Sequence, residues 1–347
     1  MKNRIFFLCP NNKFVSGGVK QIYRQVEILK KNGFDAYVLH QKKGKKDVWF
    51  NNSAPIKYSP YIFKLLKYLY KENEINILKK LNLCFLKANS IKLNYNDIIV
   101  LPEIYGPKSY EIYPDNKKIV FNQNCYYTFD YFNLNTDNFQ NIYNSKNTIA
   151  TIVASFDAYN YLSYTFPNQI FYRIILGIDR NIFYYSQKKR KQICYMPRKL
   201  SDDVKQVINI LKFKGVEKDW DLVPIDNKTE QEVAKIMRES TIFLSFNHRE
   251  GFGLPPAEAM ACGCYVIGYT GQGGKEYFKS EFSLPVEDGN ILSFVKNIEN
   301  SLKIYELNQN LILEKGKIAS QFIEKHYNLE KEKEEILKIW KKILNIF

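Results

Sequence analysis

From Thr241 to Gly268 the chain passes from an apolar run through a glycine- and proline-rich turn into a short helical segment, then into a second apolar run. The first run, TIFLSF (Thr241–Phe246), is rich in β-branched and aromatic residues and reads as a buried strand. Gly251 and Gly253 let the backbone turn sharply and approach a ligand closely. Pro255 and Pro256 suit the first turn of a helix, where an N–H has no intrahelical partner anyway. The helix PAEAMAC stops at Gly263, a C-cap residue, and a strand follows over Tyr265–Gly268. Strand, glycine turn and helix N-terminus together present backbone N–H groups and a partial positive charge to an anion.

Two carboxylates border that turn. Glu250 falls at the strand's C-terminal end and Glu258 in the helix's first turn, so both can face one crevice. An ionised carboxylate only accepts hydrogen bonds, which suits it to hold paired hydroxyls. The chemistry this points to is a phosphate on the amides and sugar hydroxyls on the glutamates. Taken singly, Glu258 is also what a helix dipole favours in a first turn, and Glu250 is also what a solvated loop carries.

The whole string resembles the Glu-x7-Glu signature of retaining, GT-B-fold glycosyltransferases of the family 4 type. The matching positions are Glu250, Gly251, Phe252, Gly253, Leu254, Pro255 and Glu258, continuing through Ala259–Gly263 and Tyr265–Gly268 into Gly273, Gly274 and Glu276. The resemblance implies an α/β chain of two doubly wound, Rossmann-like domains facing a central cleft, with the last helix crossing back to the first domain. On that pattern residues 1–183 form the acceptor-side domain, 184–327 the nucleotide-sugar domain and 328–347 the returning helix. It also implies that Glu250 holds donor-sugar hydroxyls and Glu258 the ribose, while amides around Gly251–Leu254 meet the diphosphate. Gly273 and Gly274 either let backbone approach the sugar or simply form a turn.

Composition fits an ordinary soluble chain of two domains: 347 residues, 45% hydrophobic and 25% charged, with no apolar stretch long enough to span a bilayer. The apolar part of MKNRIFFLCPNN is too short for a signal peptide and reads as a first strand. Six scattered cysteines, and three histidines (His40, His248, His326) far apart, lead to the expectation of a reduced, cytosolic protein without metal or other cofactor. The net charge of +15 favours anionic partners, whether nucleic acid, acidic lipid or phosphorylated substrate, although the lysines are spread out and equally fit codon bias. The segment Phe63–Leu83 mixes apolar residues at helical spacing with lysines, as a membrane-touching surface helix does and as a helix packed on its own domain also does.

Strand and helix alternate along both halves, as a doubly wound protein requires. The first half reads as strand Arg4–Cys9, helix Val19–Lys31, strand Asp35–His40, then strands Asp97–Leu101, Lys118–Phe121 and Thr148–Ser155. Gly17 and Gly18 close the first strand–helix loop, where such domains place ligands, with Lys20 as a neighbouring cation. The resemblance puts this glycine pair on the acceptor side. Relatives carry a histidine on a first-domain loop, and the corresponding residues here are Phe121-Asn122-Gln123-Asn124. Gln123 and Asn124 can hydrogen-bond a sugar hydroxyl but supply no imidazole. His248, beside the signature, reads as structural. Specificity is expected in the loops Asn11–Ser16, Glu103–Lys108 and Asn122–Asp130.

Gly177-Ile178-Asp179, closing the segment Phe171–Ile178, resembles the family's domain-linking stretch, and QKKRKQ (Gln187–Gln192) reads as the linker. The second half continues with strand Ile193–Pro197, a helix capped by Ser201-Asp202-Asp203, the strand WDLVP and helix Glu230–Ser240. Arg198 takes the position of the family's diphosphate-gripping arginine. For the lysine, Lys205 is nearest in spacing and Lys199 is the alternative. Leu329–Phe347 reads as a closing helix with Trp340 as a packing anchor.

The function expected is retaining transfer of a sugar from a nucleotide sugar to a hydroxyl of a glycan or lipid-linked acceptor in bacterial surface polysaccharide synthesis. The place expected is the cytoplasm, including the inner face of an anionic membrane, with no nucleic-acid partner. Phosphorolysis or epimerisation of a nucleotide sugar on the same fold is one alternative. A basic nucleic-acid-binding protein and a degenerate, partner-stabilising homologue are the others.

Overall fold

The computed structural model describes residues 3–11, 17–44, 50–70, 76–132, 134–135 and 139–345. The chain divides into two compact units, one holding everything up to Ile174 and the return from Lys333 onward, the other Ile175–Glu332. The sequence boundaries at 183 and 327 fall elsewhere. Ile178 bridges Asn328, and a Cβ on Gly177 would lie 2.9 Å from the Asn328 carbonyl, so both stretches belong to the second unit.

The first unit contains β1 (Arg4–Leu8), α1 (Gly17–Lys31), β2 (Asp35–His40), β3 (Ile56–Tyr58), α2 (Pro60–Tyr70), α3 (Ile77–Ala88), β4 (Ile98–Pro102), β5 (Lys118–Asn122), β6 (Thr148–Val153), α4 (Phe156–Thr165) and β7 (Phe171–Arg173). Its parallel sheet runs β3-β2-β1-β4-β5-β6-β7. Every residue of β4 and β5 is buried, as in a parallel sheet covered on both faces. The core joins Phe6, Leu8, Ile99, Leu101, Val120 and Val153. Two expectations change. Helix α1 starts at Gly17, which puts both glycines in its first turn. The single helix read at Phe63–Leu83 is two helices, with 71–75 outside the described residues.

The second unit contains β8 (Arg190–Tyr195), α5 (Ser201–Phe213), β9 (Asp221–Pro224), α6 (Glu230–Glu239), β10 (Ser240–Glu250), α7 (Leu254–Ala261), β11 (Tyr265–Gln272), β12 (Ser283–Val286), α8 (Ile291–Leu307), α9 (Gln309–His326) and the start of α10 (Leu329–Ile343). Its sheet runs β12-β11-β10-β8-β9, also parallel. The core includes Ile193, Val207, Leu211, Leu244, Ile267, Phe294 and Ile298. The QKKRKQ run is not all linker: Arg190 begins β8 in register with Ser240, and its carbonyl accepts from the Thr241 hydroxyl. Nor does Ser201-Asp202-Asp203 cap α5. The N-cap is Leu200, held left-handed at φ +45° with no side-chain bond, and Asp203 instead accepts from the Tyr269 hydroxyl at 2.8 Å.

The remainder of α10 belongs to the first unit, where the fully buried Trp340 lies against Phe7 at 5.6 Å and donates to Gln25 at 3.4 Å. Among the described residues no helix is long and apolar enough to cross a membrane.

Each sheet reverses its order once, between β1 and β4 and between β8 and β10. At such a switch point the loops leaving the two strands diverge to opposite faces, opening a crevice beyond their carboxyl ends.

Candidate functional site

In the second unit the crevice lies beyond β8 and β10. Lys199 leaves β8 in the turn after Tyr195, Glu250 ends β10, and the two form an ion pair. A register shift between Asn247 and Glu250, with Arg249 at φ +46°, aims that glutamate. Opposite it Gln272 holds φ +70°. Leu200, Arg249 and Gln272 are thus three non-glycine residues in left-handed or unusual backbone beside one ion pair, the pattern of strain found at functional sites.

The glycine turn is braced from beneath. Gly253 (φ +81°) starts α7 at Leu254, earlier than the sequence indicates, so Glu258 sits in the second turn and the first turn has no acid. Pro255 and Pro256 remove two of the helix's first donors, leaving the N–H groups of Leu254 and Ala257 with those of the loop. The C-terminal reading holds: Gly263 (φ +84°) donates to the Met260 carbonyl at 2.9 Å, and Cys264 to that of Ala259 at 3.0 Å. The Phe252 ring faces inward against Tyr277 (5.1 Å) and Tyr327 (5.5 Å), so only its backbone is available to a ligand. Gly273 packs on the loop itself, where a Cβ would collide with the Gly251 carbonyl, and Gly274 is buried beside Tyr277.

Two residues escaped the sequence reading. The buried Tyr277 hydroxyl donates to the Phe252 and Gly253 carbonyls. Burial raises its pKa well above the usual phenol value, with the charges of Glu276, Tyr327, Glu250 and Glu258 adding to the effect. Asn247 is buried, and its Nδ2 is without a hydrogen-bond partner among the described residues. It lines a small recess with Met196, Lys199, Phe246 and Pro255. An orphaned buried donor in an open crevice is what a ligand acceptor would satisfy. The polar residue closing TIFLSF was the available signal for Asn247. Tyr277 offered none.

The two candidate lysines part company. Lys199 is on Glu250, whereas Lys205 is 71% exposed on α5 and 3.5 Å from Asp202. Arg198 is exposed in the turn before Lys199. His248 points its Nδ1 toward Asp288 at 3.5 Å.

In the first unit the crevice beyond β1 and β4 gathers Gly17, Gly18 and Glu103. The Glu103 carboxylate accepts from the backbone N–H of Gln123 (3.1 Å) and of Asn124 (3.0 Å), and Gln123 Nε2 donates to the Gly18 carbonyl at 3.1 Å. Burial pushes the Glu103 carboxyl up to about 7 against the pull of those N–H groups. Asn124 directs its Oδ1 to the Tyr126 N–H, as a cap. Lys20 is part-buried on α1. Of the specificity loops, 12–16 lie outside the described residues.

Residues 201–317 match the family described as glycosyl transferases group 1. The structure superimposes on a mutant of S. aureus TarM in complex with fondaparinux, alpha-GlcNAc-glycerol and UDP (TM-score 0.68, 12% identity, 99% and 100% of the two chains covered). It also superimposes on sucrose-phosphate synthase from Thermosynechococcus elongatus (TM-score 0.66, 11% identity, 100% of both chains covered). The chain has the GT-B fold, and its match to the group 1 glycosyltransferases lies within the second unit. The matched residues hold α5, β10, α7 and β11, hence Glu250 and Glu258, while Arg198 and Lys199 lie just ahead of them. An alpha-1,6-glucosyltransferase of Actinobacillus pleuropneumoniae serotype 7 (strain AP76) is 31% identical over 195 residues, 52% of this chain and 55% of that protein. The chain thus spans about half the length of the curated relative it matches.

Proposed function

We propose that this chain is a retaining glycosyltransferase of the family 4 type that moves a sugar from a nucleotide-sugar donor to a hydroxyl of a glycan or lipid-linked acceptor. The observation that carries the proposal is the Lys199–Glu250 ion pair at the β8/β10 switch point, facing the start of α7. Polar groups waiting for a divided ligand are what a sugar diphosphate requires: cations for the phosphates, acceptors for the hydroxyls.

In the free enzyme the pair holds both side chains at the crevice. An entering diphosphate competes for Lys199 and releases Glu250 to the sugar hydroxyls beside the anomeric carbon. Arg198 adds a planar cation, Asn247 Nδ2 and the Leu254 amide add neutral donors, and Glu258 takes the ribose. The leaving group is a diphosphate, so the work of the site is to stabilise its growing charge, where one missing donor typically costs about 10²–10³ in rate. Retention follows if the acceptor attacks from the face the diphosphate leaves and gives its proton to the departing phosphate. No metal or other cofactor is invoked. Gly18, Gln123 and Asn124 would line the acceptor side, on the loop Phe121–Asn124 that the resemblance sets against the histidine-bearing loop of relatives. The role we infer for this transfer is cytoplasmic synthesis of bacterial surface polysaccharide.

The test is thermal stabilisation by UDP-, GDP-, dTDP- and CMP-linked sugars, beside Glu258→Ala and Arg198→Ala. One nucleotide class stabilising the parent and neither variant is the expected result. Stabilisation by an oligonucleotide at low salt, and by none of the sugars, would overturn the proposal.

A further inference from the structure

Helix α3 turns a broad apolar face to solvent. Ile77 and Leu78 are 75% exposed, Leu81 62% and Phe85 69%. At about 100° per residue these four positions fall within one arc of roughly 100°. Leu83, on the other side of the helix, is buried. The helix therefore has two apolar faces, and the first unit uses one.

The surroundings of the unused face are cationic. Lys79, Lys80 and Lys87 lie on α3 and Lys64 and Lys67 on α2, and neither helix contains a carboxylate. The Lys64 and Lys79 ammoniums sit 5.1 and 5.5 Å from the Tyr68 ring and that of Lys87 5.7 Å from the Tyr61 ring, so these lysines run along the seam between the helices.

We propose that α3 docks on an anionic lipid surface, seating Ile77, Leu78, Leu81 and Phe85 at the level of the acyl boundary with the lysines against the headgroups. An apolar arc flanked by lysines is the pattern of a helix lying in a membrane interface. A second copy of the chain fits less well, because two such faces would bring the lysines of α2 and α3 together and neither helix carries a carboxylate to offset them. The face is part of neither crevice, and its assignment does not depend on the transfer reaction.

Cys84 lies at the edge of that arc, about 20° from Ile77, and is exposed, while the five other cysteines are buried. The intact protein can therefore be labelled there with an environment-sensitive fluorophore and mixed with vesicles. The expected result is a blue shift with vesicles containing phosphatidylserine, little with pure phosphatidylcholine, and reversal by high salt. Leu81→Ser with Phe85→Ser, both at exposed sites, should lower partitioning at least tenfold with an unchanged melting temperature. Lys79→Gln with Lys80→Gln and Lys87→Gln should weaken binding to anionic vesicles selectively. No shift with any vesicle, or an equal shift with neutral ones, overturns the proposal. A shift that grows with protein concentration in the absence of lipid would assign the face to self-association and likewise overturn it.

Discussion

Lys199 and Glu250 meet across the switch point of the second sheet, although 51 positions separate them in the chain; Glu250 ends β10 and Lys199 lies in the turn after β8. Their side chains are 32% and 24% exposed, so the pair is solvent-screened and contributes at most about 1 kcal/mol to folding. Its importance is in placement. Lys199→Ala should therefore leave stability nearly unchanged and lower the rate of nucleotide release with acceptor by about 10²–10³. Lys205→Ala should change it less than about threefold. Equal losses in the two variants would show that the Glu250-bound lysine is not the diphosphate ligand.

Tyr277→Phe removes the hydroxyl that ties the Phe252 and Gly253 carbonyls while keeping the ring packed on Phe252. Two buried acceptors lose their donor, a cost of about 1–3 kcal/mol in urea unfolding. The turn ahead of α7 should also loosen. Donor affinity should then fall by more than it does for a surface control of equal stability. Unaltered affinity alongside lowered stability would make Tyr277 a packing residue only.

Gly273→Ala places a methyl against the Gly251 carbonyl, which is rigid backbone and cannot swing aside. Overpacking of this kind costs about 1–3 kcal/mol. The displaced loop carries Glu250, so donor binding should weaken as well. Gly33→Ala is the useful contrast: its φ is +84° but nothing lies within 4 Å of its Cβ, so only strain should register and donor binding should be untouched.

Glu103 gives a pH signature. Its carboxyl titrates at about 7 in the folded chain, mainly because burial disfavours the charged form, and near 4.5 when unfolded. Between those values the folded state binds more protons, so stability falls as pH rises from about 4.5 to about 7, by at most about 1.4 kcal/mol per unit. Glu103→Gln should flatten that slope in melts across pH 4.5–7.5. A parental slope retained by the variant would place the titration elsewhere.

Much of the architecture was legible because it rests on local patterns. TIFLSF, DIIVL and KIVF are apolar runs of strand length, and each is a strand. Gly263 ended its helix because a left-handed residue is needed there and glycine adopts that conformation at no steric cost. Glu250 was legible at the strand end. The turn position of Glu258 was not, since Gly253 rather than Pro256 sets where α7 begins.

The sequence by itself determined the strands and helices that border the two crevices, the glycine turn, and the residue types around it, because period and turn chemistry act over a few neighbours. Only the tertiary structure decided which lysine faces Glu250, that Tyr277 braces the turn, that Glu103 holds the Gln123 loop, and that α3 has a second, outward apolar face. Those relationships depend on strand order and on what covers each surface. Strand order brings together residues from distant parts of the chain, so no local window of the sequence contains it.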